Sequence, residues 1–191
     1  MKISAILLAA GFSHRMGVDK LFLEYRGKSL MQTAIDLMSS LPVYEKIVVS
    51  TKERLDLAVF PPDPDIKKVI NISPENGQSG SIKLGVENST GTHYLFIMAD
   101  QPKLTAEAFV PLFESAVKSI NSIIFPVING NPCSPVLFPA MFRDELLTLT
   151  GDMGGRIIRE TNPEACCAIK PENPELFSDI DNADDFIALC L

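Results

Sequence analysis

The sequence predicts an α/β protein with a three-layer α/β/α, Rossmann-like architecture and a mostly parallel sheet. Three observations support this fold class. Short apolar runs of strand length recur along the chain, they contain few alternating polar positions, and segments with helical spacing lie between them. Strands that are covered by helices on both faces have this continuous apolar character. The alternation of strands with helices then favours parallel strands connected by helical crossovers.

Five strands and four helices are predicted before Pro132. The strands cover residues 3–8, 46–49, 68–72, 94–98 and 122–127. The helices between them cover residues 30–38, 54–59, 79–86 and 106–120. Thr105 is predicted as an N-cap, with Ser29 and Ser79 as further candidates, because hydroxyl oxygens accept hydrogen bonds from the free N–H groups of a helix start.

The pattern changes after Pro132. A strand-like segment at 135–138, helices near 139–149 and 153–160, and a segment at 165–169 follow. Because no linker or repeat separates this part from the rest, we interpret it as an elaboration of the same domain. Residues 1–191, of which 46% are hydrophobic, are therefore expected to form one domain with a substantial core.

Composition and charge exclude several classes of function. The formal net charge of −7 argues against a broad nucleic-acid surface, which needs many Lys and Arg side chains to neutralise phosphates. No apolar run approaches the roughly 20 residues that span a bilayer. The opening run is interrupted by Gly11 and has no basic region or cleavage site, so a cytoplasmic protein that binds neither membrane nor nucleic acid is expected.

The four cysteines form no matched pair of C-x-x-C motifs, so zinc is not expected. We interpret them as reduced, small hydrophobic residues. They are Cys133, Cys166, Cys167 and Cys190.

A loop with two glycines and two cations follows the first predicted strand. It reads Leu8-Ala9-Ala10-Gly11-Phe12-Ser13-His14-Arg15-Met16-Gly17-Val18-Asp19-Lys20. Ligands of parallel α/β sheets bind beyond the carboxyl ends of the strands, where this loop lies. Gly11 and Gly17 can turn backbone N–H groups toward an anion, and Arg15 and Lys20 can supply charge. The spacing fits neither a P-loop nor a dinucleotide motif, so an anion loop and an ordinary strand-to-helix turn both stay open.

Two later segments, one of small residues and one acidic, follow this loop. Gly77, Ser81 and Gly85 stand in a run of small residues, for which a helix cap is the ordinary interpretation. Asp100 leaves the end of the strand at 94–98. Since Mg²⁺ takes one or two carboxylates and completes its shell with phosphates and water, Asp100 is a candidate ligand. The alternative is a turn before Pro102.

A second acidic segment lies near the end of the chain. Asp179 and Asp181 point the same way if the segment is extended, and Asp181 is the preferred second metal ligand. The alternative interpretation is an acid-rich, solvated helix start.

Two further segments combine glycines with polar or charged residues. Ser134 and Pro135 follow Gly130-Asn131 in a loop before an apolar run. Asp152, Gly154 and Arg156 lie in Leu149-Thr150-Gly151-Asp152-Met153-Gly154-Gly155-Arg156, which is either an Asp-capped helix start or a phosphate site.

Taken together, these segments resemble the MobA-like NTP transferases, most closely the branch of molybdenum cofactor cytidylyltransferases. The run L-A-A-G-x-S-x-R-M-G-x-x-K is similar to the family signature, and M-A-D-Q-P, L-x-G-D-x-G-[AG]-R and D-I-D are similar to later family elements. The resemblance spans roughly residues 3–185. It implies a fold of the nucleotide-diphospho-sugar transferase type and the transfer of CMP from CTP to the phosphate of molybdopterin or Mo-molybdopterin, with Mg²⁺ and release of pyrophosphate.

The resemblance also implies roles for individual residues. Arg15, Lys20 and Asp100 are expected to be catalytic, and Asp100 and Asp181 to bind the metal. The expected nucleotide-binding residues are Leu8, Ala9, Ala10, Gly11, Gly17, Gly77, Ser81 and Gly85. The expected acceptor-binding residues are Ser134, Pro135, Asp152, Gly154 and Arg156.

Several alternatives stay open. Leu8-Ala9-Ala10-Gly11 favours CTP, because guanylyltransferases of the family usually carry L-A-G-G, but guanylyl transfer to the same cofactor is the main rival. Cytidylyl transfer to a sugar or polyol phosphate and a non-catalytic accessory module for molybdoenzyme maturation are the others. A molybdenum hydroxylase is a candidate recipient of the product.

The chain departs from the family pattern at two places. Cys133-Ser134 replaces Gly-His or Gly-Asn, and Asn182-Ala183-Asp184 replaces Thr-Pro-Glu. His14 and His93 are not expected to act as a general base, because an acceptor phosphate is already a nucleophile at neutral pH.

Overall fold

A computed structural model describes residues 1–11, 17–62 and 66–190 of the chain. Its strands are β1 (Ile3–Ala9), β2 (Glu24–Tyr25), β3 (Lys28–Ser29), β4 (Glu45–Ser50), β5 (Ile66–Ile70), β6 (His93–Met98), β7 (Ile123–Ile128), β8 (Asn131–Pro132), β9 (Val136–Pro139) and β10 (Cys166–Ile169). Its α-helices are α1 (Leu30–Ser40), α2 (Lys52–Leu57), α3 (Gly77–Glu87), α4 (Val110–Lys118), α5 (Arg143–Thr148), α6 (Arg156–Thr161) and α7 (Ala183–Cys190).

The main sheet is mixed and mostly parallel, with the order β10-β7-β9-β6-β1-β4-β5 and with β8 added beside β7. Within this order, β9 is antiparallel to both of its neighbours and every other adjacent pair is parallel. β2 and β3 form a separate antiparallel hairpin. The predicted α/β fold with a mostly parallel sheet is confirmed.

Two hydrophobic clusters cover the two faces of the sheet. In β1, Ala5 and Leu7 belong to the cluster that includes α1 and α4, whereas Ile6 and Leu8 belong to the cluster that includes α3 and α5. Successive side chains of a strand point to opposite faces, so both sets are buried. This arrangement explains why the strand sequence is apolar without interruption.

The predicted helix starts are only partly correct. Ser29 is the N-cap of α1, and its hydroxyl accepts a hydrogen bond from the Gln32 amide at 3.1 Å. Thr105 precedes a 3₁₀ turn, Ala106–Phe109, that leads into α4. Ser79 is not a cap: α3 begins two residues earlier, after Asn76, and the Ser79 hydroxyl donates to the Asn76 carbonyl.

Some predicted boundaries are also wrong. The strand predicted at 68–72 is β5 at Ile66–Ile70, because Asn71 leaves the sheet to hydrogen bond with Ser81 and Ser73. Ile72 is 88% exposed. The helix predicted at 153–160 begins only at Arg156, after two glycines. None of the described helices has both the length and the apolar character of a membrane span.

Glu45 is a buried carboxylate at the start of β4. It accepts hydrogen bonds from the Ser4 hydroxyl, the amides of Thr90 and Gly91, and the Lys67 ammonium. It thereby connects β1, β4, β5 and the loop before β6. Burial opposes ionisation of Glu45, but the hydrogen bonds from Lys67, Thr90 and Ser4 outweigh it and lower the pKa of this carboxyl from 4.5 to about 2.

We expect Glu45 to make the stability of the fold depend on pH. Because its pKa is lower in the folded state, the carboxylate stabilises the fold fully above about pH 4.5, and this contribution of about 3 kcal/mol is lost as the pH falls toward 2. Urea unfolding at several pH values should show Glu45→Gln to be less stable than the wild type at pH 7, with the difference shrinking at acid pH. Glu87→Gln, on an exposed glutamate, is the control. A difference between Glu45→Gln and wild type that is the same at every pH would contradict this account.

Candidate functional site

The candidate site lies where β1 and β6 end side by side. These strands are parallel, with Leu8 opposite Met98, so the residues that follow them meet at one edge of the sheet. A 3₁₀ turn, Lys20–Phe22, returns the chain to this edge. There the Lys20 ammonium donates to Asp100 Oδ2 at 2.7 Å and to the Ile180 carbonyl at 2.7 Å.

Lys20 and Asp100, two of the three residues expected to be catalytic, are therefore in contact. The side chains of Lys20 and Asp100 are 17% and 14% exposed, so their ion pair is shielded from water on most sides. Arg15 and His14 lie outside the described residues.

Three carboxylates surround the Lys20 ammonium. The Ile180 amide donates to the Asp100 carbonyl at 3.0 Å, which places the segment of Asp179 and Asp181 beside the end of β6. Asp181 Oδ1 lies 3.9 Å from Lys20 Nζ. Partial burial, together with the charges of Asp100 and Asp181, raises the pKa of Asp179, and the charge of Lys20 opposes this shift.

These carboxylates fit a hard divalent cation. Asp100 Oδ1 is buried and has no hydrogen-bond partner among the described residues, which leaves one oxygen of this carboxylate unused. No group of three or more His, Cys, Asp or Glu side chains in the described part of the chain is arranged to hold a metal alone. Because Mg²⁺ needs only one or two carboxylates when phosphate and water complete its shell, Asp100 and Asp181 stay the predicted ligands.

The departure from the family pattern at Asn182 produces a helix cap. The Asp185 amide donates to Asn182 Oδ1, while Asp185 Oδ2 accepts from the amides of Asp181 and Asn182. The acidic segment is thus both the start of α7 and the neighbour of Lys20. The two interpretations of its sequence are compatible.

The residues predicted to hold the nucleotide differ in their surroundings. Leu8, Ala9 and Ala10 are buried at the end of β1. Gly17 has a φ of +66°, which favours glycine. Gly11 is exposed and has an ordinary φ, and a Cβ built on it would meet nothing within 4 Å.

Arg54 is a residue that the sequence analysis missed. Arg54 is a buried residue of α2. Its guanidinium donates to the carbonyls of Ala9 and Gly11 at 2.6 and 3.0 Å and to Asp19 Oδ2 at 2.6 Å. The other Asp19 oxygen accepts from the Leu21 amide. One buried cation therefore holds both flanks of the segment between Gly11 and Gly17. No local pattern marks Arg54, because its partners lie more than 30 residues away.

The start of α3 packs against the loop before α6. The Ser79 amide donates to the Gly151 carbonyl at 3.1 Å, and a Cβ on Gly77 would lie 2.3 Å from Asp152 Oδ1. A Cβ on Gly154 would collide with Gln78. Residues predicted for the nucleotide and for the acceptor are thus in contact here. Gln78, near the start of α3, also donates to Met98 Sδ, so the start of α3 borders the end of β6.

Ser81 and Gly85 lie deeper in the structure. The Ser81 hydroxyl accepts from Asn71 Nδ2, and a Cβ on Gly85 would lie 2.4 Å from Ile6 Cγ2. Both residues are buried where α3 packs on the sheet. Their contact with a nucleotide stays a prediction.

The residues predicted to bind the acceptor do not all lie at the sheet edge. Ser134 and Pro135 adjoin the site, because Gln101 Nε2 donates to the carbonyls of Ser134 and Phe177. Arg156 is 78% exposed, and its guanidinium pairs with Glu160 one turn along α6. His93 lies at the opposite end of β6 from Asp100, with its ring nitrogens against Thr92 and the Ile120 carbonyl.

Comparison with known proteins gives sequence matches over most of the chain. The family model described as MobA-like NTP transferase domain matches residues 5–166. A probable molybdenum cofactor guanylyltransferase of Bacillus cereus (strain Q1) is 30% identical over 135 residues, which cover 68% of this chain and 64% of that protein. The match thus spans less than two thirds of the length of this relative. The molybdenum cofactor cytidylyltransferase of Escherichia coli (strain K12) is 25% identical over 189 residues, which cover 97% of this chain and 94% of that protein.

Solved structures share the fold over the whole chain. A homologue of a Mycobacterium tuberculosis protein from Mycobacterium sp. strain JC1 superposes with a TM-score of 0.83 at 21% identity, covering 100% of this chain and 96% of that one. A nucleotidyl transferase from Methanothermobacter thermautotroptrophicus has a TM-score of 0.79 at 21% identity, covering 99% and 96%. At these identities the similarity establishes the fold.

We expect Arg54→Met to lower the free energy of unfolding by about 3 kcal/mol, because Asp19 and two carbonyls lose their partner. Urea unfolding checks this value. The double variant Arg54→Met with Asp19→Asn should lose less than the sum of the single variants, since the two side chains form one interaction. Arg26→Met, on an exposed arginine, is the matched control and should change stability by no more than about 0.5 kcal/mol. Strict additivity of the Arg54 and Asp19 effects would contradict the coupling.

Proposed function

The chain belongs to the family of MobA-like NTP transferases, and from this premise we propose that it transfers CMP from CTP to the phosphate of molybdopterin or Mo-molybdopterin and releases pyrophosphate. The observation that carries the proposal is the cluster at the sheet edge. A half-buried lysine and two aspartates, one with an unused oxygen, meet beyond the ends of β1 and β6. Parallel α/β sheets bind their ligands at this edge.

Three observations support the choice of acceptor and nucleotide. The relatives from Bacillus cereus and Escherichia coli are both named for molybdenum cofactor, which supports molybdopterin as the acceptor. The cytidylyltransferase matches almost end to end, which supports CTP. Ala10, in the run L-A-A-G, is buried beside the loop, and its methyl group leaves less room than a glycine would.

The reaction is an in-line displacement. An oxygen of the acceptor phosphate forms a bond to the α-phosphorus of CTP, and the bond from that phosphorus to the bridging oxygen of pyrophosphate breaks. Lys20 would stabilise the negative charge that spreads over the phosphate oxygens, and Arg54 would keep the preceding loop in place. When bound between Asp100 and Asp181, Mg²⁺ would neutralise part of the charge of the triphosphate.

No side chain needs to remove a proton from the acceptor. A phosphate monoester is already ionised at neutral pH, so catalysis consists of positioning and charge neutralisation. Gln101 ties the Ser134 loop to the end of β6. It would therefore help to place the acceptor next to Asp100.

Guanylyl transfer to the same acceptor is the second candidate. It is favoured by the Bacillus cereus relative, which has the higher identity but matches over a shorter length. Both candidates share the same site residues and differ only in the base that is bound.

Asp100→Ala should lower CTP-dependent pyrophosphate release with molybdopterin by at least about 100-fold, because it removes a proposed ligand of the Mg²⁺ that would neutralise the charge of the triphosphate. A coupled pyrophosphate assay measures this, and circular dichroism checks that the variant is folded. Treating the wild type with a chelator should abolish turnover, and added Mg²⁺ should restore it.

Asp36→Ala is the matched control, because Asp36 accepts from Lys28 on the exposed side of α1 as Asp100 accepts from Lys20 in the site. This variant should keep wild-type turnover. Turnover by Asp100→Ala at the wild-type rate would overturn the proposed site, and a folded wild type that binds CTP but turns over with no acceptor would favour an accessory module.

Nucleotide preference should be visible in thermal shifts. A tenfold preference for CTP corresponds to about 1.4 kcal/mol and should raise the melting temperature by about 3–5 °C more than GTP at equal concentration. Both nucleotides are titrated with Mg²⁺ present. A larger shift with GTP would replace cytidylyl by guanylyl transfer as the proposed activity.

A further inference from the structure

A second groove of about 410 Å³ lies between β7, the loop at β8 and α6. Phe125 and Cys166 form part of its floor, and Asn131, Arg156, Arg159 and Glu160 bring polar groups to it. Arg156 was predicted to bind the acceptor, but Arg159 and Phe125 have no role in the mechanism above. The groove is therefore a feature that the nucleotide site does not explain.

Arg159 is the unusual residue of this groove. It is half-buried, and its guanidinium stacks over the Phe125 ring with Cζ 4.7 Å from the ring centroid. Within the described residues its guanidinium makes neither a hydrogen bond nor an ion pair. A guanidinium has five N–H donors, and those of Arg159 are not among the buried unpartnered atoms of the described residues, which are on Asp100 and Gln101. The Arg159 guanidinium is thus positioned by the Phe125 ring and partly desolvated, and its N–H donors are available to a ligand.

The charge of the groove is also unbalanced. Glu160 pairs with Arg156 at 2.6 Å and acts on the charge of Arg159 without forming a close ion pair with it. Burial, with the nearby charge of Arg156, lowers the pKa of Arg159, which is the direction expected for a cation without a close counter-charge. Burial raises the pKa of Cys166, while the charge of Arg159 acts in the opposite direction. A local positive charge therefore persists in a chain whose net charge is −7.

The segment of Cys133 and Ser134 connects elements of the groove and of the nucleotide site. The Cys133 amide donates to the carbonyl of Pro126, the residue after Phe125, at 3.0 Å. The Ser134 carbonyl accepts from Gln101, the residue after Asp100. Burial and the charge of Asp179 raise the pKa of Cys133 to about 11, while the charge of Arg159 acts in the opposite direction.

We propose that Arg159, stacked on Phe125 and assisted by Arg156, forms an oxyanion-binding subsite that takes a phosphate group. A guanidinium binds phosphate oxygens through two parallel N–H bonds, and the aromatic ring fixes its plane. The source of the phosphate is the acceptor substrate or free inorganic phosphate. Only the assignment to the acceptor rests on the proposed function.

Inorganic phosphate is the probe for the subsite. In ¹⁵N-labelled protein, the Arg159 Nε–H signal is identified by its loss in Arg159→Gln, and phosphate is titrated against potassium chloride at constant ionic strength. We expect the Arg159 signal to shift and saturate. The Arg26 signal is the matched control, because Arg26 also lies over an aromatic ring, that of Tyr25 at 5.0 Å, but outside the groove. The proposed subsite is overturned if the Arg159 signal does not saturate, or if it shifts only as much as the Arg26 signal.

Variants test the chemistry of the subsite. With the Arg156 signal as reporter, phosphate should bind at least about tenfold more weakly to Arg159→Gln, because charge-assisted hydrogen bonds are lost. Arg159→Lys keeps the charge but not the planar fork, and its affinity should be intermediate. The amide spectrum checks that both variants are folded. Unchanged phosphate affinity in Arg159→Gln would also overturn the proposal.

Kinetics identify the source of the phosphate. If the acceptor supplies it, Arg159→Gln raises the KM for the acceptor by about tenfold and leaves the KM for CTP unchanged, and phosphate competes with the acceptor. An unchanged acceptor KM in Arg159→Gln assigns the subsite to free phosphate. If the wild type turns over with no acceptor, the proposed function fails, and the Arg159 signal still decides whether the subsite exists.

Discussion

The ion pair between Lys20 and Asp100 is the interaction on which the site depends. It joins the residues that follow β1 to the end of β6, and the bond from Lys20 to the Ile180 carbonyl adds the segment before α7. Removing two charges from water costs several kcal/mol, so a pair at this depth is weak support for stability. Its consequence is geometric: three distant segments are held together around one ammonium group and one unused carboxylate oxygen.

Asp19, the residue before Lys20, is held by a different partner. Asp19 bonds to the Arg54 guanidinium, which also binds the carbonyls of Ala9 and Gly11, while Lys20 turns to Asp100. Two adjacent residues of opposite charge are thus fixed by two separate partners. Gly11, Asp19 and Lys20, which flank residues 12–16, are thus held in place by other parts of the protein, and groups held in this way lose less conformational freedom when a ligand binds.

The distribution of charge fits a small anionic ligand better than an extended one. The chain is acidic overall, and the two cations proposed to meet a phosphate are local: Lys20 at the edge of the sheet and Arg159 in the groove. Each is partly or fully shielded from water, where its interaction with a phosphate is stronger than on an open surface. The Cys133-Ser134 segment lies between the two regions, so the substituted part of the acceptor loop borders both.

Local patterns determined the fold class, most strands, the Ser29 cap and the order of the site segments, because apolar spacing and turn chemistry act over a few residues. They also placed Lys20 and Asp100 together, since parallel strands end at one edge. The antiparallel β9, the position of β5 and the partners of Arg54 and Arg159 were decided only by the tertiary structure. An arginine has the same sequence signature on a surface as in a core. Which carboxylate, carbonyl or ring it meets depends on contacts between residues far apart in the chain.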